Sequence, residues 1–256
     1  MSVENLDKIF QPKSIAVVGA SQRKGSVGAA LMHNLIERGF SGEIFPINPN
    51  HKKIGELPAC PSIRDLEAPV DLAVISTPIP AVPQIVKDCV DIGVGGAVII
   101  SAGGKEIGEQ GNKLEAGILK EAGHSGLRII GPNCVGIMSA RSKLNASFAN
   151  QMPISGKMAF ISQSGALGGA VLSWAEEQGV GLSKFVSYGN ATDLSEIDLL
   201  DYLRDDEETS VVALYIETVS NGRLFMEAAR KLAAVKPLIV IKSGRSDSGS
   251  RATLSH

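Results

Sequence analysis

The sequence predicts an α/β protein of two stacked units, each a largely parallel sheet covered by helices. Three observations carry that expectation. Short apolar runs rich in Val, Ile and Ala recur and alternate with helix-compatible stretches. The runs end in Gly, Ser, Pro or Asn. The rhythm breaks once, over 141–156, and then restarts. Strand–helix–strand alternation implies right-handed crossovers and parallel pairing. A length of 256 residues suits two such units better than one.

In chain order, the first unit (1–140) reads as strands over 14–20, 43–47, 71–76, 96–101 and 127–130, with helices over 28–38 and 80–92. The stretch 141–156 has no clean period and reads as a linker. The second unit (157–256) reads as a strand over 157–162, a helix over 166–178 and a strand near Phe185. A helix over 194–203, a strand over 211–216, a helix over 223–235 and a strand over 238–242 follow. The Ser-, Gly- and Arg-rich tail, 244–256, reads as a loop. Trp174 is expected on the buried face of its helix, with part of its ring exposed. The run Asp205-Asp206-Glu207-Glu208 reads as a solvated face that helps to end a helix. His33, His51 and His124 read as surface residues.

Composition bounds the function. Hydrophobic residues make up 44% of the chain and aromatics only 4%, as buried parallel strands packed on helices require. A formal net charge of -2 gives no global field for nucleic acid, so a polyanionic ligand would have to be held by local donors. Cys60, Cys89 and Cys134 are scattered and odd in number, which points to a reducing cytoplasm rather than to a disulfide or metal site. Glu4, Asp7 and Lys8 interrupt the N-terminal apolar residues, so no signal peptide is read there. No apolar run approaches membrane-spanning length, and no membrane partner is expected.

The first strand turns through Gly19-Ala20-Ser21, with Gly25 and Gly28 beyond. A glycine-rich turn into a helix exposes N–H groups at a positive dipole end, which is a cradle for phosphate. A tight turn with nothing bound is the alternative. The spacing is not G-x-G-x-x-G, and the second strand ends in Pro46-Ile47-Asn48-Pro49, without a carboxylate for a ribose. Both departures count against NAD. Lys24, Lys52 and Lys53 stand where they could meet further phosphates.

Three other strands close on Ser76-Thr77-Pro78, Ser101-Ala102-Gly103-Gly104 and Gly131-Pro132-Asn133-Cys134. Each alone is ordinary turn chemistry, but small polar residues at strand carboxyl ends leave room for a ligand. In the second unit, Ser162-Gln163-Ser164-Gly165 opens a helix, either as an anion site or as a plain N-cap. Glu217 ends an apolar strand on the same kind of rim, where a solvated strand end or an ion-pair partner is the alternative.

Taken together, V-V-G-A-S (17–21), P-I-N-P (46–49), S-T-P (76–78), S-A-G (101–103) and G-P-N-C-V-G (131–136) resemble the coenzyme A domain of the succinyl-CoA synthetase α subunit. The ADP-forming acetyl-CoA synthetases are closer still, and the resemblance runs over 10–256. It implies a Rossmann-like CoA-binding domain followed by a flavodoxin-like ligase domain. The implied reaction is acyl-CoA + NDP + phosphate ⇌ acid + CoA + NTP. On this resemblance Gly19, Ala20, Ser21, Lys24 and Gly25 would hold CoA phosphates, with Asn48, Pro49 and Lys52 at the nucleotide end. Ser76, Thr77, Pro78, Ser101, Ala102, Gly103, Asn133 and Cys134 would line the path of the pantetheine and thiol.

The same resemblance makes His256 the phosphohistidine, with Ser162, Gln163, Ser164 and Gly165 around its phosphoryl group and Glu217 on its ring. A carboxylate on one ring nitrogen fixes the tautomer whose other nitrogen attacks phosphorus. The family's loop continues past the histidine into a further helix, so the sequence reads as a fragment of a longer polypeptide, inactive alone. ATP or ADP, with Mg, would be bound by an ATP-grasp domain in the same polypeptide or in a partner subunit, and an oligomer is expected. Two other readings are a ligand-sensing regulatory region of a protein lysine acetyltransferase with the same domains, and an NAD-binding redox sensor. The missing ribose carboxylate after Asn48 counts against the second.

Overall fold

The computed structural model describes residues 3–244. Two sheets lie side by side, and their order explains why so many strand ends meet. The chain enters through a short helix, α1 (Leu6–Phe10), and then β1 (Ser14–Val18), α2 (Val27–Glu37) and β2 (Glu43–Ile47). A small hairpin, β3 (Lys53–Ile54) and β4 (Leu57–Pro58), precedes β5 (Leu72–Ile75), α3 (Val82–Asp91) and β6 (Gly96–Ile99). Helix α4 (Glu109–Ala122) and β7 (Arg128–Ile130) complete the first sheet, whose order is β2-β1-β5-β6-β7. All its pairings are parallel.

The second sheet starts at once with an antiparallel hairpin, β8 (Gly136–Ser139) and β9 (Leu144–Ser147). It continues with β10 (Ser155–Ser162), α5 (Gly165–Glu177), β11 (Leu182–Ser187) and α6 (Glu196–Asp205). Strand β12 (Val211–Ile216), helix α7 (Gly222–Ala233) and β13 (Leu238–Lys242) follow. The order is β13-β12-β10-β11-β8-β9, parallel except where β8 pairs with β11 and β9. The expected α/β class, with two largely parallel sheets dressed by helices, is the one found.

The two sheets share a core. One apolar cluster includes Phe10, Val17 and Leu31 of the first unit and Ile161, Val186 and Leu200 of the second. Phe10 stacks on Tyr202 with ring centroids 4.9 Å apart.

Three sequence expectations differ from the structure. The stretch 141–156, read as a linker, carries β9, and the hairpin packs against α2, where buried Asn34 donates from Nδ2 to the carbonyls of Ser147 and Ala149, both at 2.8 Å. Trp174 is 53% exposed, so its ring mostly faces solvent. The acidic run is not simply a solvated face. Asp206 is buried, and with Glu208 it receives the ammonium of fully buried Lys184, at 2.8 and 3.1 Å.

Burial opposes ionisation of Asp206, but hydrogen bonds from Lys184 and Thr209 outweigh it and set its carboxyl below the ordinary value. Its stabilising share is therefore complete above the ordinary Asp range and is lost as pH falls through the lowered value. Removing Lys184 strands the buried carboxylate of Asp206 and takes one of two cations from half-buried Glu208, which keeps Arg141. Lys184→Ala is expected to lower unfolding free energy by about 3–5 kcal/mol, read by urea denaturation at neutral pH. A loss below about 1 kcal/mol would mean that water already reaches the pair.

Candidate functional site

The carboxyl ends of β1, β2, β5, β6 and β7 face those of β10, β11 and β12 across one cavity of about 1510 Å³. That exceeds the ~300–1,000 Å³ of a pocket for one small molecule and gives room for a ligand with several parts.

The first wall is the glycine-rich turn. Gly19 takes a positive φ of 91°, and Gly28 presses so close that an added Cβ would lie 2.0 Å from the Gly19 carbonyl oxygen. Ser26 caps α2, its Oγ accepting from Ala29 N. Asn48 secures the rim from β2, donating from Nδ2 to Ala20 O at 2.8 Å and accepting from Asn50 N at 2.8 Å. An amide that bonds the turn itself stands where a dinucleotide site would present a carboxylate.

The β5 and β6 ends are stitched together. Ser101 Oγ donates to Thr77 O at 2.5 Å, and Ser76 Oγ to Val18 O at 3.2 Å. Among the described residues, Thr77 Oγ1 is buried without a partner on this wall. A buried hydroxyl with no partner is costly, and a ligand or water in the cavity could satisfy it. Asn133 holds a left-handed φ of 57°, and its N–H donates to Ser101 O at 2.9 Å. The Cys134 thiol is directed inward, donating to Ile99 O, and burial pushes it up to about 12, so it stays protonated near neutral pH.

The opposite wall is the start of α5. Ser164 caps this helix, its Oγ accepting from Leu167 N at 3.4 Å, and Gly165 and Ala166 follow on the cavity surface. Gln163 organises the neighbouring strand end. Its Oε1 accepts from Glu217 N at 2.8 Å and Thr218 N at 3.0 Å, and its Nε2 donates to Thr218 Oγ1. Ser162 is buried below, its hydroxyl donating to Ser164 O at 2.7 Å, so it shapes the turn from beneath rather than facing the cavity. Tyr188 is buried nearby, its hydroxyl without a partner among the described residues. Burial and the carboxylates of Glu196 and Glu217 push its phenol upward, so it remains neutral.

A polar latch joins the walls. Buried Glu115 of α4 accepts from Lys105 N at 2.7 Å, Asn190 Nδ2 at 2.6 Å and Thr192 Oγ1 at 2.6 Å. Glu106 accepts from Gly103 N and Asn190 Nδ2, and the Lys105 ammonium donates to Asn190 O. Burial opposes ionisation of Glu106, but Asn190 and the surrounding N–H groups prevail and hold its carboxyl below the ordinary value. Asn133 joins the same latch, its Nδ2 donating to Asn190 Oδ1 at 3.3 Å.

Of the residues singled out in the sequence, Gly19, Ser21, Gly25, Asn48, Ser76, Thr77, Pro78, Ser101, Ala102, Asn133, Cys134, Gln163, Ser164, Gly165 and Glu217 line this one cavity. Ala20 and Gly103 lie in the same turns but off the lining, Lys24, Pro49 and Lys52 are exposed outside it, and His256 is outside the described residues. Sequence reasoning missed Arg23, Lys105, Glu106, Phe148 and Asn190 on the lining. His51, read as a plain surface residue, also borders it. Lys105 and Glu106 could have been noticed as charges directly after a strand-end turn; Asn190 and Phe148 carry no such signal. Among the described residues, no group of three or more His, Cys, Asp or Glu side chains is placed to hold a metal, and no helix is long and apolar enough to cross a membrane.

Two largely parallel sheets turn two helix starts toward one cavity, an α/β arrangement whose helix N–H groups suit a phosphate-bearing ligand. Residues 13–140 match the family described as "CoA binding domain", and residues 155–256 match the "Succinyl-CoA ligase like flavodoxin domain". The chain belongs to the superfamily of NDP-forming acyl-CoA ligases.

It is 44% identical over 251 residues to the ADP-forming acetate–CoA ligase I of Archaeoglobus fulgidus, across 98% of this chain and 36% of that protein. It is 43% identical to the α subunit of the ADP-forming acetate–CoA ligase I of Pyrococcus furiosus, across 98% of this chain and 55% of that subunit. The solved dinucleotide forming acetyl-coenzyme A synthetase 1 of Ca. Korarchaeum cryptofilum, in complex with phosphate and ADP, superposes with a TM-score of 0.93 at 41% identity, over 98% of this chain and 54% of that one. The chain thus spans between 36% and 55% of the length of these relatives.

Proposed function

We propose that this chain is the CoA-binding and phosphoryl-accepting part of an NDP-forming acyl-CoA ligase. The observation that supports it most is the pairing of two anion cradles, at α2 and α5, on opposite sides of one cavity with Glu217 on its rim. A ligand with phosphates at one end and a reactive thioester several bonds away suits that spacing. Gly19, Ala20, Ser21 and Gly25, helped by Lys24 and Arg23, take the phosphates, with Asn48, Pro49 and Lys52 at the nucleotide end. The strand ends at 76–78, 101–103 and 133–134 line the pantetheine arm and bring the thioester beside Asn133.

Phosphate at the start of α5 attacks the thioester carbonyl. The C–S bond breaks, the thiol leaves with a proton, and an acyl phosphate forms. A ring nitrogen of His256 then attacks phosphorus, the acid leaves as carboxylate, and the phosphoryl group passes on to a nucleoside diphosphate. Glu217 holds the ring nitrogen that does not react and balances the charge that develops. Ser164 and the N–H groups that open α5, on a turn braced by Ser162 and Gln163, stabilise the phosphoryl oxygens.

The nucleotide, with Mg to neutralise its phosphates, belongs to an ATP-grasp domain in the same polypeptide or in a partner subunit, in an oligomeric cytoplasmic enzyme. Titration calorimetry of this chain with CoA and, separately, with NAD tests the first half: CoA is expected to bind and NAD not. Binding of NAD alone would replace this reading with that of a dinucleotide sensor. In the complete ligase, His256→Ala is expected to remove phosphorylation by labelled nucleotide while leaving the fold and CoA binding intact. Undiminished labelling of that variant would refute the phosphohistidine.

A further inference from the structure

Lys105 stands on the lining of the cavity, directly after the turn that closes β6. Its ammonium bonds one acceptor among the described residues, the carbonyl oxygen of Asn190. An ammonium carries three donors, so two are left for a ligand. The carboxylates next to it are spent on other donors. Glu106, which also lines the cavity, takes Gly103 N at 2.6 Å on one oxygen and Asn190 Nδ2 at 2.6 Å on the other. Glu115 takes Lys105 N, Asn190 Nδ2 and Thr192 Oγ1. The lysine is thereby tied down at its backbone by Glu115 and at its tip by a single carbonyl.

Asn190 sets where that tip stands. Its N–H donates to Pro132 O at 2.9 Å, and its Oδ1 accepts from Asn133 Nδ2 at 3.3 Å. A Cβ on Gly189 would lie 2.3 Å from Asn133 O, so the two loops meet at their backbones. Through Asn190 the ammonium is held close to Asn133, where the two sheets join. Among the described residues, the other lysine or arginine on the lining is Arg23, which belongs to the first turn.

We propose that Lys105 is a catalytic residue whose ammonium binds the carboxyl oxygen of the acyl group. This rests on the CoA reading above, which brings the thioester beside Asn133. When a phosphate oxygen adds to the thioester carbon, the carbonyl π pair moves onto oxygen, and the ammonium donates to the oxyanion that forms. As that pair returns, the C–S bond breaks, and the thiolate takes the proton that hydrogen phosphate gives up. Lys105 keeps all of its own protons. The acid released later is a carboxylate, and the same ammonium pairs with it. The site recognises the carboxyl group itself, not the chain behind it.

The test is calorimetric titration of this chain with CoA, S-carboxymethyl-CoA and S-carbamoylmethyl-CoA. The two derivatives have the same shape and differ only in the charge of the group just beyond the position of the thioester carbon. Wild type is expected to bind the carboxymethyl derivative more tightly by about tenfold or more, the scale of one hydrogen bond between charged groups. Lys105→Met is expected to lose that preference while still binding CoA. Lys105→Gln keeps a polar but uncharged tip and is expected to lose it too, which guards against a folding or loop defect in the methionine variant. Lys105→Arg keeps the charge and is expected to retain part of the preference. A preference absent from wild type would overturn the proposal. One that survives in both uncharged variants would overturn it as well and assign the carboxylate to the start of α5. Failure of wild type to bind CoA or either derivative would overturn the CoA reading, and this role for Lys105 with it.

Discussion

Glu115→Ala is expected to lower unfolding free energy by about 3–5 kcal/mol, the cost of leaving three buried donors without the carboxylate they share. CoA affinity should fall with it. The carboxylate takes three donors, Lys105 N, Asn190 Nδ2 and Thr192 Oγ1, and two of these come from the loop that carries β11 into α6. Without it, each donor loses this acceptor away from bulk water, at about 1–3 kcal/mol apiece where nothing replaces it. The fit around it is close: a Cβ on Gly104 would lie 2.1 Å from Glu115 Oε1. Glu115→Gln keeps an acceptor for Lys105 N and Asn190, and the Thr192 hydroxyl can turn to accept from the new amide, so this variant should recover more than half of the loss. Urea denaturation and CoA titration of the two variants provide the check. Equal losses in both would mean that the negative charge, not the hydrogen-bond geometry, holds the latch.

Gly28→Ala is the second large effect. The added methyl would stand 2.0 Å from Gly19 O and 3.3 Å from Ser21 N, so the phosphate cradle must move or α2 must tilt. Overpacking of this kind costs about 1–3 kcal/mol. Because displaced N–H groups no longer aim at the ligand, CoA affinity should fall about tenfold or more. Gly169 supplies the contrast. It lies in α5 with nothing within 4 Å of an added Cβ, so Gly169→Ala should stabilise the chain by up to about 1 kcal/mol and leave CoA binding alone. If Gly28→Ala binds CoA normally, the first turn is not the phosphate cradle.

Much of the fold could be read in the sequence because its parallel strands are continuous apolar runs, such as Ile-Ala-Val-Val in β1 and Leu-Ala-Val-Ile in β5. The strand-end turns were legible for the same reason, since each follows directly on such a run. Helix α4 was missed because its buried stripe is Gly111, Glu115, Ile118 and Ala122, and a glutamate at its centre breaks the apolar period. The β8–β9 hairpin was missed because Ser139, Asn145 and Ser147 are buried polar residues in short strands. Asp206 and Glu208 looked solvated because their partner, Lys184, lies 22 and 24 residues away in sequence. Phe148 gave no sign of its position, which is set by an asparagine more than a hundred residues earlier.

The chain crosses from the first sheet to the second through residues 131–135, and Asn133, Cys134 and Val135 of that crossing line the cavity. The seam of the molecule and the floor of its site are therefore the same few residues. A ligand that touches both walls acts as an additional strut across the seam, and any change in the angle between the sheets alters the distance over which it must reach. Because the two sheets also share one apolar core, such a strut stiffens a joint that is already packed, and slower amide hydrogen exchange over 131–135 would register ligand binding.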